Sequence, residues 1–342
     1  MRELKAKEWM LFTGFIFLFG AIVIGLFTFA GDPYLYYRNV SNDKKLLHSN
    51  FVNIGLMKNY KFDTAFIGSS EIHNIDTGFV KSYYTVDSAK LVTQDMDVND
   101  MLFMYDLSQK YSEVKEYIFN IDLEEFSRIK VVDGKSEKFP EYLYNEKRLD
   151  DIRYLLSYES SLRYAPINFI INGAIDLGVQ PPEEILRHTE IGKIEDWSEK
   201  AVFGAEEVRI SFEQYMATES GSNNTDLLIK LQTNIDDFLG SILEKQKPEQ
   251  RIIFGFPPYS ALYWEALKEK ETYGVYLAAK EYFITKSGQL DRVRLVDVQS
   301  IPEINDLNNY KDLRHFNGEI SRIYTDAIFF GGYDISSKHS SN

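Results

Sequence analysis

The chain has 342 residues, no cysteine and a formal net charge of −14. Its 38 Lys and Arg face 52 Asp and Glu and form no long basic cluster, which argues against a nucleic-acid partner. The missing cysteines exclude thiolate nucleophiles, cysteine–zinc centres, disulfides and a lipidated cysteine, while 44% apolar residues suffice for a substantial core.

Residues 9–30 (WMLFTGFIFLFGAIVIGLFTFA) carry no charge over 22 positions. A helix of that length covers roughly 33 Å, enough for a bilayer core. A buried core helix is one alternative. A cleaved signal peptide is another, because Thr28-Phe29-Ala30 resembles a small-residue cleavage site. The run is longer than a signal core, so a retained single-pass anchor is expected. Arg2, Lys5 and Lys7 precede it, and Arg38, Lys44 and Lys45 follow farther away. This slight positive-inside bias places the leader in the cytoplasm and the main domain outside the cytoplasmic membrane, in the periplasmic space or cell envelope.

Gly31-Asp32-Pro33 breaks the helix, and residues up to about 60 read as a juxtamembrane connector. Short apolar strands are expected at 63–67 (DTAFI), 89–93 (AKLVT), 117–121 (YIFNI), 251–256 (RIIFGF) and 293–298 (VRLVDV). Helical spacing marks 98–111, 224–244, 265–285 and 320–329. Continuously apolar strands alternating with helices predict an α/β fold, an α/β/α sandwich around a parallel five-stranded sheet. The main domain is expected over 61–335, with an insertion at about 127–223, rich in Pro, Tyr and Glu, that resembles a helical cap. Residues 336–342 read as a loose tail.

Loops following parallel strands gather at one edge of the sheet, where active sites form. Ser70 follows the first strand in Gly68-Ser69-Ser70, where helix N-terminal amides would favour developing negative charge. A serine nucleophile needs a base, usually an imidazole oriented by a carboxylate. The five histidines are His48, His73, His188, His315 and His339. His48 lies in the connector, His188 in the insertion and His339 in the tail, while His73 follows the serine turn. His315 lies between the fifth strand and the last helix, three residues after Asp312. Glu124-Glu125 reads as a solvated helix start. Asp95, Asp97 and Asp100 lack the Gly and Glu of a calcium loop, and His73 has no metal-ligand spacing. No cofactor or metal is expected. Tyr259, in Pro257-Pro258-Tyr259-Ser260, is a substrate contact or a packing residue.

A serine after strand one with Asp-x-x-His near the C-terminus resembles the SGNH hydrolase arrangement. More closely, the chain resembles the membrane-anchored SGNH-like proteins of bacterial surface-polymer modification. These include the D-alanine-transfer protein of lipoteichoic acid synthesis and the alginate O-acetylation proteins. FDTAFIGSSEIHNID (62–76), EYIFNIDLEEF (116–126), IIFGFPPYSALYW (252–264) and NNYKDLRHFNGEI (308–320) carry the likeness. It implies Ser70 as nucleophile, His315 as general base and Asp312 as its orienter, with Ser69 the nearest rival nucleophile. The implied oxyanion donors are the Ser70 amide, a block-two glycine and a block-three asparagine. The loop 94–99 has no glycine, so the Met96 amide stands in for it, and Asn120 stands in for the asparagine of a missing Gly-x-Asn-Asp block. The resemblance further implies an O-acyltransferase or esterase acting on a cell-surface polysaccharide, with a multipass membrane O-acyltransferase as partner. The alternative from the departed blocks is an SGNH-fold scaffold without turnover, binding a glycan or that partner.

Overall fold

The computed structural model describes residues 2–38, 49–128, 131, 136, 138–179, 201–218 and 223–335. Along the chain run α1 (Arg2–Gly31), α2 (Ser49–Asn59), β1 (Thr64–Gly68), α3 (Thr77–Tyr84), β2 (Ser88–Val92), α4 (Val98–Tyr111), β3 (Glu116–Asn120) and α5 (Leu123–Arg128). Then come α6 (Glu141–Tyr144), α7 (Asp151–Leu156), α8 (Ala165–Asp176), α9 (Ala205–Ala217), α10 (Asn224–Lys245), β4 (Arg251–Phe256), α11 (Ala261–Glu269), α12 (Tyr273–Ser287), β5 (Val293–Asp297) and α13 (Gly318–Phe330). Two units separate by internal contact. One comprises Met1–Tyr60 with Phe139–Ile194, the other Lys61–Lys138 with Glu195–Asn342. The segment expected as an insertion therefore divides, with 139–194 grouping with the N-terminal residues. The expected tail at 336–342 lies outside the described residues.

The second unit is built on a five-stranded, all-parallel sheet in the order β2-β1-β3-β4-β5. Parallel strands are covered on both faces, and side chains alternate between them. Phe66, Ile118 and Ile253 point into a core with Val80 of α3, Val208 of α9, Leu267 of α11 and Ile320, Tyr324 and Ile328 of α13. Their neighbours point the other way, where the Phe119 ring lies 5.7 Å from Phe238 of α10 and that of Phe254 5.1 Å from Phe283 of α12. The single helix expected over 265–285 is two helices. Glu271 adopts a left-handed φ of 59° between them, and the Thr272 amide turns back to Leu267 O at 2.9 Å.

In the N-terminal unit, α1 is long and apolar enough over Lys5–Gly31 to cross a membrane. Buried Asp32 accepts hydrogen bonds from the amides of Tyr36 and Tyr37 (3.0 Å each) and Arg38 (3.2 Å), and from the Tyr154 hydroxyl at 2.8 Å. Tyr34, Leu35 and Tyr36 are buried in the same unit.

Two glycines test the packing in opposite directions. A Cβ on Gly255 would overlap the hydroxyl of buried Tyr324, whereas one on Gly240 in α10 meets nothing within 4 Å. Gly255→Ala is expected to cost about 1–3 kcal/mol through overpacking. Gly240→Ala is expected to add about 0.5–1 kcal/mol through helix propensity. Thermal unfolding of the full chain in detergent should separate the two.

Candidate active site

The first strand delivers Ser70 to the carboxyl edge of the sheet. Gly68, its last residue, is a close approach, since a Cβ there would lie 2.6 Å from Asn120 Cβ. The chain then enters a 3₁₀ turn at Ser70–Ile72. The first amides of such a turn have no carbonyl partner within it. Across the edge, residues 310–316 form a closed loop. Tyr310 and Phe316 make an antiparallel bridge, and the Lys311 amide donates to His315 O at 3.1 Å. Three contacts from neighbouring loops fix it. Asn74 Nδ2 donates to Phe316 O at 2.8 Å, Ser260 Oγ to Leu313 O at 2.9 Å, and Tyr310 Oη to Pro258 O at 2.7 Å.

This arrangement places Ser70 Oγ 2.7 Å from His315 Nε2. The opposite ring nitrogen, Nδ1, lies 2.7 Å from Asp312 Oδ2 and 2.9 Å from Oδ1. Asp312 also accepts from the amides of Arg314 (2.9 Å) and His315 (2.8 Å). Burial acts to raise the Asp312 carboxyl, but the bonds from His315 and these amides outweigh it and hold the group at about 2. A carboxylate on Nδ1 leaves Nε2 as the acceptor facing the serine hydroxyl.

The other sequence candidates fall as follows. Ser69 is buried, and its Oγ accepts from the Met96 amide at 3.2 Å. The Met96 amide is therefore engaged by Ser69. Asn120 is buried at the end of β3. Its Oδ1 accepts from Tyr324 Oη at 3.1 Å, and its Nδ2 has no partner. His73 is buried beneath the turn, and burial with the neighbouring Lys90 charge lowers it to about 3, so it is neutral there. Asp97 and Asp100 form the capping box that starts α4. His48, His188 and His339 lie outside the described residues.

Glu124 and Glu125, expected at a solvated helix start, are buried at 6% and 3% exposure. They belong to an ionic cluster around Arg314, the residue between Leu313 and His315. Arg314 Nη1 donates to Asp122 Oδ2 at 2.8 Å and to Glu124 Oε2 at 3.2 Å, while Arg128 pairs with Glu125 at 2.7 Å. Burial raises Glu71, Glu124 and Glu125, the last to about 8 with Asp122 adding to the shift. The arginine of Asp-Leu-Arg-His was the sequence residue to pair with these acids, but about 190 positions separate it from them and nothing local marks the pairing.

Beside this cluster lies a cavity of about 310 Å³. Asp122 forms part of its wall with Tyr263, Trp264, Tyr273, Tyr276 and Ser300. Tyr259 lies in the wall and is buried, its ring 4.8 Å from that of Tyr263. Lys280 in the same wall is compensated by Asp297 at 2.7 Å.

Compared with known families, the chain matches no family model, and no curated protein matches it either. The geometry of the site therefore carries the functional argument.

Removing Arg314 would leave Asp122 and Glu124 without their shared cation. Arg314→Met is expected to destabilise the full chain by about 3–5 kcal/mol, the cost of breaking a buried pair, read by denaturant unfolding. Asp312 has a depressed pKa, so its contribution is present above its ordinary value of 3.8 and lost as pH falls towards about 2. Asp312→Asn should lack that component of the acid-unfolding curve.

Proposed function

We propose that the chain is a serine-dependent O-acyltransferase or acylesterase of the SGNH type, acting on a cell-surface polysaccharide. The observation that carries this reading is the relay Ser70 Oγ–His315 Nε2–His315 Nδ1–Asp312, with both contacts at 2.7 Å. Its geometry meets the demand for general-base activation of a weak nucleophile. The likeness of the Ser70 and Asp312–His315 stretches to SGNH proteins supports it further.

In the proposed reaction Ser70 Oγ attacks an acyl carbonyl carbon while His315 Nε2 takes the hydroxyl proton. The carbonyl pair moves to oxygen, where amides at the Ser70 turn hold it. Collapse breaks the bond to the donor's leaving oxygen, which takes the proton back from His315. A sugar hydroxyl or water then attacks the acyl-serine while His315 takes its proton; the acyl carbon–Ser70 Oγ bond breaks, and Oγ recovers the proton from His315. The aromatic cavity beside the Arg314 cluster, where Asp297 compensates Lys280, suits a neutral saccharide ring. A multipass membrane O-acyltransferase would supply the acyl group on the outer side of the cytoplasmic membrane.

A fluorophosphonate probe should label wild-type protein at Ser70. Ser70→Ala and His315→Ala should abolish labelling, and Asp312→Ala should slow it less, because Asp312 orients the ring without accepting the serine proton. Losing the general base is worth roughly 10²–10⁴ in rate. Labelling that persists in Ser70→Ala would move the nucleophile to Ser69 or end the serine mechanism.

One observation favours a second reading, a scaffold of the same fold that binds a glycan or membrane partner without turnover. The Met96 amide is occupied by Ser69 Oγ, which leaves one fewer donor for an oxyanion. Wild-type protein that is not labelled, even with candidate partners present, would favour the scaffold. For either reading the second unit lies outside the cytoplasm. A C-terminal alkaline phosphatase fusion should be active, and a fusion active only as a cytoplasmic reporter would reverse the orientation.

A further inference from the structure

The N-terminal unit exposes large apolar side chains where a water-facing surface would carry polar ones. Residues 5–19 of α1 are exposed all round. From Gly20 onwards one face is covered. Gly20, Ala21, Ile24 and Gly25 are half-buried, and Thr28 and Gly31 are buried. This is a single helical stripe made mostly of small residues, which allows close approach of another helix. The covering elements are α7 and α8. A Cβ on Gly25 would lie 3.8 Å from Leu155 Cβ and Leu156 Cδ2, and one on Gly31 would meet Ala165 O at 2.5 Å. The Phe27 and Phe169 rings are 5.3 Å apart. Ala165 meets position 31 and Phe169 meets position 27, so α8 runs antiparallel to α1. It therefore lies alongside the stretch of α1 that is long and apolar enough to cross a bilayer.

The outer side of this pair is apolar. Phe169 and Ile170 are 49% and 54% exposed, and exposed Leu162, Tyr158, Ile152 and Leu149 lie on the preceding turns. Residues 164–175 (YAPINFIINGAI) contain no charge. Soluble proteins seldom expose so many large apolar groups together. An apolar helix of this length is too short to span but suits an interfacial position. Exposed Arg148 and Arg153 accompany the patch, with Arg163 paired to Glu159 at 3.1 Å, and the long arginine stems can reach a headgroup layer.

We propose that the α7–α8 segment is itself set into the lipid bilayer beside α1. Phe169 and Ile170 lie among acyl chains, and the arginines lie at headgroup level. Membrane contact then consists of one spanning helix and a second, non-spanning block. This rests on α1 crossing the membrane, and is independent of the side it faces and of the acyl chemistry.

The cysteine-free chain gives a clean background for the test. Phe169→Cys, Ile170→Cys and Leu162→Cys are made in the full chain, with Phe12→Cys and Leu18→Cys as references in α1 and Glu269→Cys as a water-facing reference. Each is labelled with bimane and reconstituted in phosphatidylcholine–phosphatidylglycerol vesicles. Quenching is read with nitroxide on the acyl chains and with iodide in the water. Bimane at 169 and 170 should be quenched by acyl-chain nitroxide as at 12 and 18, with iodide quenching several-fold below that at 269. Iodide quenching equal to that at 269 overturns the proposal, because the patch is then in water. Protection from both quenchers also overturns it, because a protein partner then covers the patch. If positions 12 and 18 escape the lipid nitroxide as well, the spanning role of α1 fails. If those two are quenched and 169 and 170 are not, the bilayer placement of α8 fails alone.

Discussion

A guanidinium removed from water must be neutralised where it stands, and the architecture of the candidate site follows from how Arg314 meets that requirement. Its charge is met by Asp122 and Glu124, which the chain delivers directly after β3. Arg314 belongs to the loop that carries Asp312 and His315, so neutralising it also draws that loop onto the middle of the sheet edge. Ser70 arrives from β1, the strand next to β3. These two ion pairs thus hold His315 towards Ser70, and the hydrogen bonds from Asn74 and Ser260 set the final position. The excess of acids over cations in the cluster has a further effect. Burial raises Glu71, Glu124 and Glu125, so burial in this cluster favours the neutral carboxyl more than solvent would.

The sheet was legible in the sequence because its strands are short, continuously apolar and bounded by turns. All five expected strands occur, within a residue or two of their expected ends. The helix pattern over 265–285 misled, because the apolar spacing continues across Glu271 and nothing in propensity marks a non-glycine residue in the left-handed region. Burial of charge was the least legible feature. Glu124 and Glu125 have the local context of a helix start, and their burial depends on the distant Arg314 for Glu124 and on Arg128 for Glu125. The pairing of Ser70 with His315 was accessible only through topology, since 245 positions separate them. The apolar face of α8 was hidden for another reason. Its partner, the small-residue stripe on α1, lies within a run so uniformly apolar that hydropathy shows no sidedness.

The same rule of close packing operates in both units. In the sheet, Gly68 admits Asn120, and in the N-terminal unit Gly31 admits the backbone at Ala165. At each place the absent side chain lets two segments meet at a distance that a methyl group would forbid.

The contact of Gly255 with Tyr324 has a mechanical meaning. The Tyr324 hydroxyl sits over the bare α-carbon of Gly255 and reaches Asn120 on the neighbouring strand. It acts as a detent for α13. Sliding the helix by one residue, about 1.5 Å, would lift the ring out of its notch and press it against the flanking side-chain-bearing positions. His315 precedes that helix by only a few residues, with Asn317 as the cap. The imidazole is therefore indexed from behind, by a ring on the far side of the cap, as well as from the front by Asp312.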